Sequence, residues 1–208
     1  MPVQHSLFTD KSDRIRDQAK VSKILQPFVS DLATSVVKGY TDVYAFVSSE
    51  GIGRASNCSL ANLLNCYIIE RAKERFVSLE QVQICKQMNI FKLIINDEIV
   101  VRFKKLRQDY TVMPSRTKQS RDWFTNCPIA GIPDHLLRVN VGYQLNQDHD
   151  IVDIAVTHQS TTECVAWRFS IWEEADISNM FDGYAPEAQE HIPIPLTLKS
   201  ELALRKSV

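Results

Sequence analysis

The stretch INDEIVVRFKKLRQD, residues 95 to 109, sets Asp97 and Glu98 a few positions ahead of Arg102, Lys104, Lys105 and Arg107. Carboxylates beside a lysine are the parts of a metal-dependent hydrolase, in which the acids hold a divalent cation and the lysine positions water. A second set, Asp148, His149, Asp150, Asp153 and His158 in DHDIVDIAVTH, offers side chains of metal-ligand type. Strand alternation sends Asp153 and His158 to opposite sides, however, and Asp148 to Asp150 read as turn formers. No HExxH, GxSxG or GxxxxGK[ST] is present. We therefore assign no catalytic residue, no metal ligand and no cofactor.

The order of elements around the first stretch is helix, three-strand meander, helix, strand. It resembles the core of PD-(D/E)xK nucleases, which need an acid and an ExK on adjacent strands. Here both acids fall in the turn, and Arg102 stands two before Lys104, where the family has a carboxylate. A cation there would repel the metal, so this resemblance implies a degenerate nuclease at most.

The elements that position these residues are legible in the hydrophobic period. Val21, Leu25, Phe28, Leu32, Val36, Val43 and Val47 recur at helical spacing over residues 11 to 48, with Pro27 and Gly39 as expected breaks. A second helix is expected near 59 to 76, capped by Ser59, with Leu60, Leu63, Leu64, Tyr67 and Ile68 as its stripe and ERAKER as its solvated end. The period then changes to two. LEQVQIC, IFKLII and IVVRFKK read as three strands, SRTKQSRDWFTN as a short helix turning Trp123 and Phe124 inward, and LLRVNVGYQL, IVDIAVTH and CVAWRFSIW as three more strands. The short loops between successive strands predict antiparallel neighbours. The expected fold is α+β: N-terminal helices packed on a mostly antiparallel sheet of about six strands, with an extended C-terminal tail. A single domain over 1–172 (helical 11–76, sheet-rich 77–172) is followed by an arm over 173–208.

Sorting side chains by face gives an apolar set: Leu137, Val139, Val141, Tyr143, Leu145, Val152, Ile154, Val156, Val165, Trp167, Phe169 and Ile171. In the hairpin, a three-residue turn pairing Ile95 with Ile99 puts Phe91, Leu93, Ile95, Ile99, Val101 and Phe103 on one face. A one-residue slip would expose that whole set, so burial selects this register. Glu98 then fits the turn poorly if it must take a positive φ. The opposite face carries Lys92, Arg102, Lys104, Arg138 and Arg168 with one acid, Asp153. We take these five cations as the candidate binding face, against the alternatives of a solvated outer surface or a face covered by helices. Aromatic residues near RFKKLR and RTKQSR make nucleic acid a second candidate ligand.

Composition narrows the classes further. The chain has 208 residues, 44% hydrophobic and 24% charged, with a formal charge of −1. No global basic field attracts polyanions, so such binding must be local. No run of 18 apolar residues implies a membrane span, and MPVQHSLFTDKSD lacks an apolar signal core. Five widely spaced cysteines without a CxxC fit reduced thiols in the cytoplasm, with Cys58 and Cys66 expected in apolar packing.

The spacing of VVRFKKL (100 to 106), VGYQL (141 to 145) and AWRFSIW (166 to 172) resembles small bacterial and mobile-element proteins encoded beside HExxH-type metallopeptidases in toxin–antitoxin or phage-defence loci. The resemblance supplies no catalytic residues. It implies a protein partner and a regulatory or toxic role. IPIPLTL, with Ile192, Ile194 and Leu196, is the expected partner arm, since extended segments bind sheet edges or grooves. The expectation is a non-enzymatic, partner-binding cytoplasmic protein, with self-association left open.

Overall fold

The computed structural model describes residues 11–49, 57–87, 90–112, 117–125, 127–147, 149–161 and 163–173. The expected arm, with Ile192, Ile194 and Leu196, lies outside these residues, as does Asp148.

The N-terminal helices pack on a six-stranded sheet. Helix α1 (Lys11–Leu25) runs through a 3-10 turn (Gln26–Phe28) into α2 (Val29–Ser49), and α3 (Asn57–Phe76) packs back along α2. Pro27 sits in the 3-10 turn, where its missing N–H and fixed φ interrupt the helix. Gly39, expected to be a second break, lies inside an unbroken α2. It is there for space: a Cβ would sit 2.6 Å from the backbone nitrogen of Ile68 on α3. Ser59 lies inside the first turn of α3 and does not cap it from outside. Val21, Leu25, Leu32, Val36, Val43, Leu64 and Ile68 are buried. The charged end of α3 is laced by ion pairs, Arg71 to Asp42 at 2.5 Å and Arg75 to Asp31 at 2.7 Å. None of the described helices is long and apolar enough to cross a membrane.

The strands are β1 (Val82–Gln87), β2 (Ile90–Ile95), β3 (Ile99–Lys105), β4 (Leu137–Leu145), β5 (Ile151–Gln159) and β6 (Val165–Ser170), in spatial order one to six. All neighbours are antiparallel except β3 and β4. That pair is parallel because its connection is a crossover through helix α4 (Lys118–Phe124). Ile95 pairs with Ile99, as the apolar pattern requires. The left-handed turn positions are Asn96 and Asp97, at φ 53° and 51°, so Glu98 is spared a positive φ.

The register separates two faces. The first holds Leu93, Ile95, Val101, Phe103, Val139, Val141, Tyr143, Ile154 and Val156, all buried. Among the elements in contact here, α3 meets β1 and β3, and α1 meets β6. Val152, expected in this core, is half exposed. A bulge pairs Gln144 with Asp153 but Leu145 with Ile151, leaving Val152 as the extra residue. The second face is covered by α4 and the segment after it. Trp123, Phe124, Ile129, Ile132 and Leu136 join Val100, Ile94, Leu106 and Ala155 in a separate apolar cluster. Gly142 admits Leu106, whose side chain would lie 2.3 Å from a Cβ there. Cys58, Cys66, Cys127 and Cys164 are exposed, which corrects the expectation of apolar packing for the first two; Cys85 is half-buried.

Candidate functional site

The second face of the sheet collects the basic residues in one row. Cys85 pairs with Lys92, Arg102 with Asn140 and Asn140 with Thr157, while Arg168 follows on β6 opposite Thr157. The β2–β3 pairing ends at Leu93–Val101, so Lys92 and Arg102 are the next residues on the two strands and fall on the same face. Arg138 lies on β4 beside Val100, one diagonal away. Like charges brought close together on one face of a sheet repel.

Burial sharpens the conflict. Lys92 is 1% exposed, and Arg102 and Arg138 are each 4% exposed. Antiparallel strands at the protein surface would leave such residues in water. Here the β3–β4 crossover lays α4 across them. Thr117 starts this helix by accepting from the Ser120 backbone N–H at 3.2 Å, and its inward residues are Trp123 and Phe124. The Arg102 guanidinium lies over both rings, 4.3 Å and 4.8 Å from their centres. Its Nε donates to Asn140 Oδ1 at 2.6 Å, while Nη2 has no partner. Arg138 donates to the Asp122 carbonyl at the end of α4 at 2.7 Å. Lys92 Nζ is buried and, among the described residues, has no hydrogen-bond partner.

Each charge is held at a cost. Burial, then repulsion from Arg138, pulls Arg102 down to about 9. Burial lowers Lys92 as well; Cys85 across the strand opposes the shift, and Arg138 and Arg102 add to it. Burial also lowers Arg138, with Asp134, Cys127 and Asp122 acting the other way, and it lowers Lys104, helped by Arg102. Among the described residues, none of Lys92, Arg102 and Arg138 makes an ion pair. The one acid on the face, Asp153, is engaged elsewhere: Tyr110 and Ser170 donate to it at 2.8 Å and 2.7 Å. Arg168 is exposed and stacks on Tyr110 at 3.6 Å, so it closes the outer end of the row instead of joining the buried cluster. Lys104 is half-buried between the two.

A cavity of about 420 Å³ opens at the other end, between the sheet and the segment after α4. Gln83, Cys85 and Ile94 form its floor, and Gly131, Ile132 and Pro133 its wall. Asp97 stands at its rim, largely exposed. Cys85 of its floor is the strand partner of Lys92, but Lys92, Arg102 and Arg138 are not among its lining residues.

The acids of the opening stretch lie outside the buried cluster. Glu98 pairs with Lys20 of α1 at 2.6 Å, and the Asp97 carboxylate lies 3.7 Å from His135. Asp153 falls on the second face, whereas His158 stacks on Trp167 of the first, 5.3 Å between ring centres. Among the described residues, no three His, Cys, Asp or Glu side chains gather as metal ligands would.

Alternation in the sequence placed the cations on one side. The cover that desolvates them was not visible, because the reach of α4 over β3 and β4 depends on the parallel crossover. The signal that could have found it is the pair Trp123–Phe124 between two strands that carry buried-side arginines. No protein-family model matches the chain, and no curated protein or solved structure matches it.

Proposed function

We propose that this chain is a non-enzymatic regulatory protein that works by binding, and that the second face of its sheet receives an anionic ligand. The observation that supports this is the buried group Lys92, Arg102 and Arg138, in which two cations retain unused donors and, among the described residues, none makes an ion pair. A fold that gathers like charges beneath apolar cover loses stability by doing so. Such local violations mark functional positions. Service to a protein partner, in a toxin–antitoxin or phage-defence pair, rests on the resemblance of VVRFKKL, VGYQL and AWRFSIW alone. A cytoplasmic setting accords with five free thiols.

The test is thermal unfolding of the full chain at fixed ionic strength in chloride, inorganic phosphate, an acidic peptide or a short single-stranded oligonucleotide. At least one of the last three should raise Tm above the chloride value, and Lys92→Met with Arg102→Met should remove the rise. Equal Tm in all four would end the binding reading. Metal-dependent cleavage of DNA or RNA would end the non-enzymatic one.

A polynucleotide reading draws on the outer end of the row, where exposed Arg168 stacks on Tyr110. There, salt-dependent binding with a slope reduced by Arg168→Ala is the expected outcome.

A further inference from the structure

We propose that Cys85 is an oxidation site, at which hydrogen peroxide converts the thiol to a sulfinate and the new anion pairs with the Lys92 ammonium. This is independent of the proposed ligand, because the anion is made on the chain beside the cation and needs no route to it. Cys85 and Lys92 are directly paired on β1 and β2, so their side chains rise from the same face. The Cβ atoms of such a pair lie about 4.5–5.5 Å apart. Lys92 Nζ is buried and, among the described residues, has neither a hydrogen-bond partner nor an ion pair. Burial acts most strongly against that ammonium; the next largest influence is the Cys85 sulfur, whose negative charge favours it.

The sulfur is also within reach of solvent. Cys85 is half-buried and forms part of the floor of the cavity of about 420 Å³. Hydrogen peroxide is neutral and small, so neither the apolar wall of Ile132 and Pro133 nor the Asp97 carboxylate bars it. The Asp97 side chain is 79% exposed, so water screens its repulsion of the product. Cys127 also lies near a buried cation, Arg138, but that guanidinium already donates to the Asp122 carbonyl and has Asp134 and Asp122 acting on it.

The Cys85 sulfur, as thiolate, attacks one peroxide oxygen. An S–O bond forms, the O–O bond breaks, and the departing hydroxide takes up the thiol proton and leaves as water. The sulfenic acid repeats the step with a second peroxide and releases a second water. Each step moves an electron pair from sulfur to peroxide. The sulfinic acid then gives its proton to solvent, so a neutral thiol has become an anion. Lys92 exchanges an unpaired buried charge for an ion pair, and oxidation stabilises the fold. Without that cation, polar oxygens added at a half-buried position destabilise it. The sign of the change distinguishes the two cases.

The experiment uses the full chain with the exposed Cys58, Cys66, Cys127 and Cys164 replaced by serine, treated with hydrogen peroxide until mass spectrometry shows two oxygens added at Cys85. Calorimetry should then read a Tm increase of roughly 3–10 °C. The same oxidation in the Lys92→Met background should lower Tm. A redox-free comparison replaces the sulfinate by a carboxylate: Cys85→Asp should melt above Cys85→Asn, and Lys92→Met should abolish the difference. Failure of peroxide to oxidise Cys85, or arrest at the sulfenic acid, would overturn the oxidation site. A fall in Tm on oxidation, or Cys85→Asp no more stable than Cys85→Asn, would overturn the pairing with Lys92. Either failure is distinct from that of the anionic-ligand reading, which added anions test on the reduced chain.

Discussion

Replacing Lys92 by methionine should make the ligand-free protein more stable. The two side chains are of similar length, and the methylene stem of Lys92 already lies inside the protein with 1% exposure. The ammonium makes no hydrogen bond among the described residues, so none of theirs is lost on substitution. An unpaired buried polar group costs about 1–3 kcal/mol. Repulsion from Arg102 and Arg138 adds to that cost. The substitution should therefore stabilise by about 1–3 kcal/mol, read as a Tm increase of roughly 3–10 °C for a domain of this size. Differential scanning calorimetry in a low-salt buffer without phosphate or sulfate measures it directly. With phosphate at saturation the gap should narrow or reverse, because only the wild type gains the ligand. A fall in Tm of Lys92→Met in the ligand-free buffer would show that the ammonium has a stabilising partner, and the reasoning would fail.

Stability should begin to rise with pH near 9, the value to which Arg102 is lowered. Lys92, Lys104 and Arg102 all bind their protons less tightly folded than unfolded, so the unfolded chain holds more protons above that pH and loses the advantage as pH rises. Above pH 10 the trend should reverse, since burial raises Tyr40 and Tyr143 above the ordinary tyrosine value of 10.0 and the unfolded chain ionises first. Chemical denaturation at stepped pH checks both limbs, and Lys92→Met should flatten the first. Gly39→Ala should destabilise by about 1–3 kcal/mol despite better helix propensity, because its Cβ meets the Ile68 backbone; urea unfolding reads the change. Tyr110→Phe should cost about 1 kcal/mol through loss of the bond to Asp153 and leave the phosphate response unchanged, as calorimetry of the variant would show.

The hairpin was the most legible part of the molecule. Six apolar residues from Phe91 to Phe103 admit one register that buries them all, and that is the pairing found. Positive φ at Asn96 and Asp97, two residues that tolerate it, resolved the difficulty with Glu98. The side of the sheet to which Lys92, Arg102, Lys104, Arg138 and Arg168 belong was legible for the same reason. Their different fates were not. Which basic residues are sealed and which remain wet depends on where α4 comes to rest, a contact between segments that period two cannot report. Val152 shows the same limit locally, since one bulge residue turns an apolar side chain out of the core. Gly39 was misread because a glycine in a helical pattern signals a break and a close helix contact alike, and only Ile68 of α3 distinguishes them.

The most direct measurement follows the Arg102 Nε–Hε resonance by nitrogen–proton NMR during a phosphate titration of the full chain. A ligand on the buried face should shift Arg102 strongly and saturably, leave the exposed Arg168 nearly unmoved, and produce no such shift in Lys92→Met. A saturable shift at Arg168 with Arg102 unchanged, or no saturable shift at either, would contradict the account.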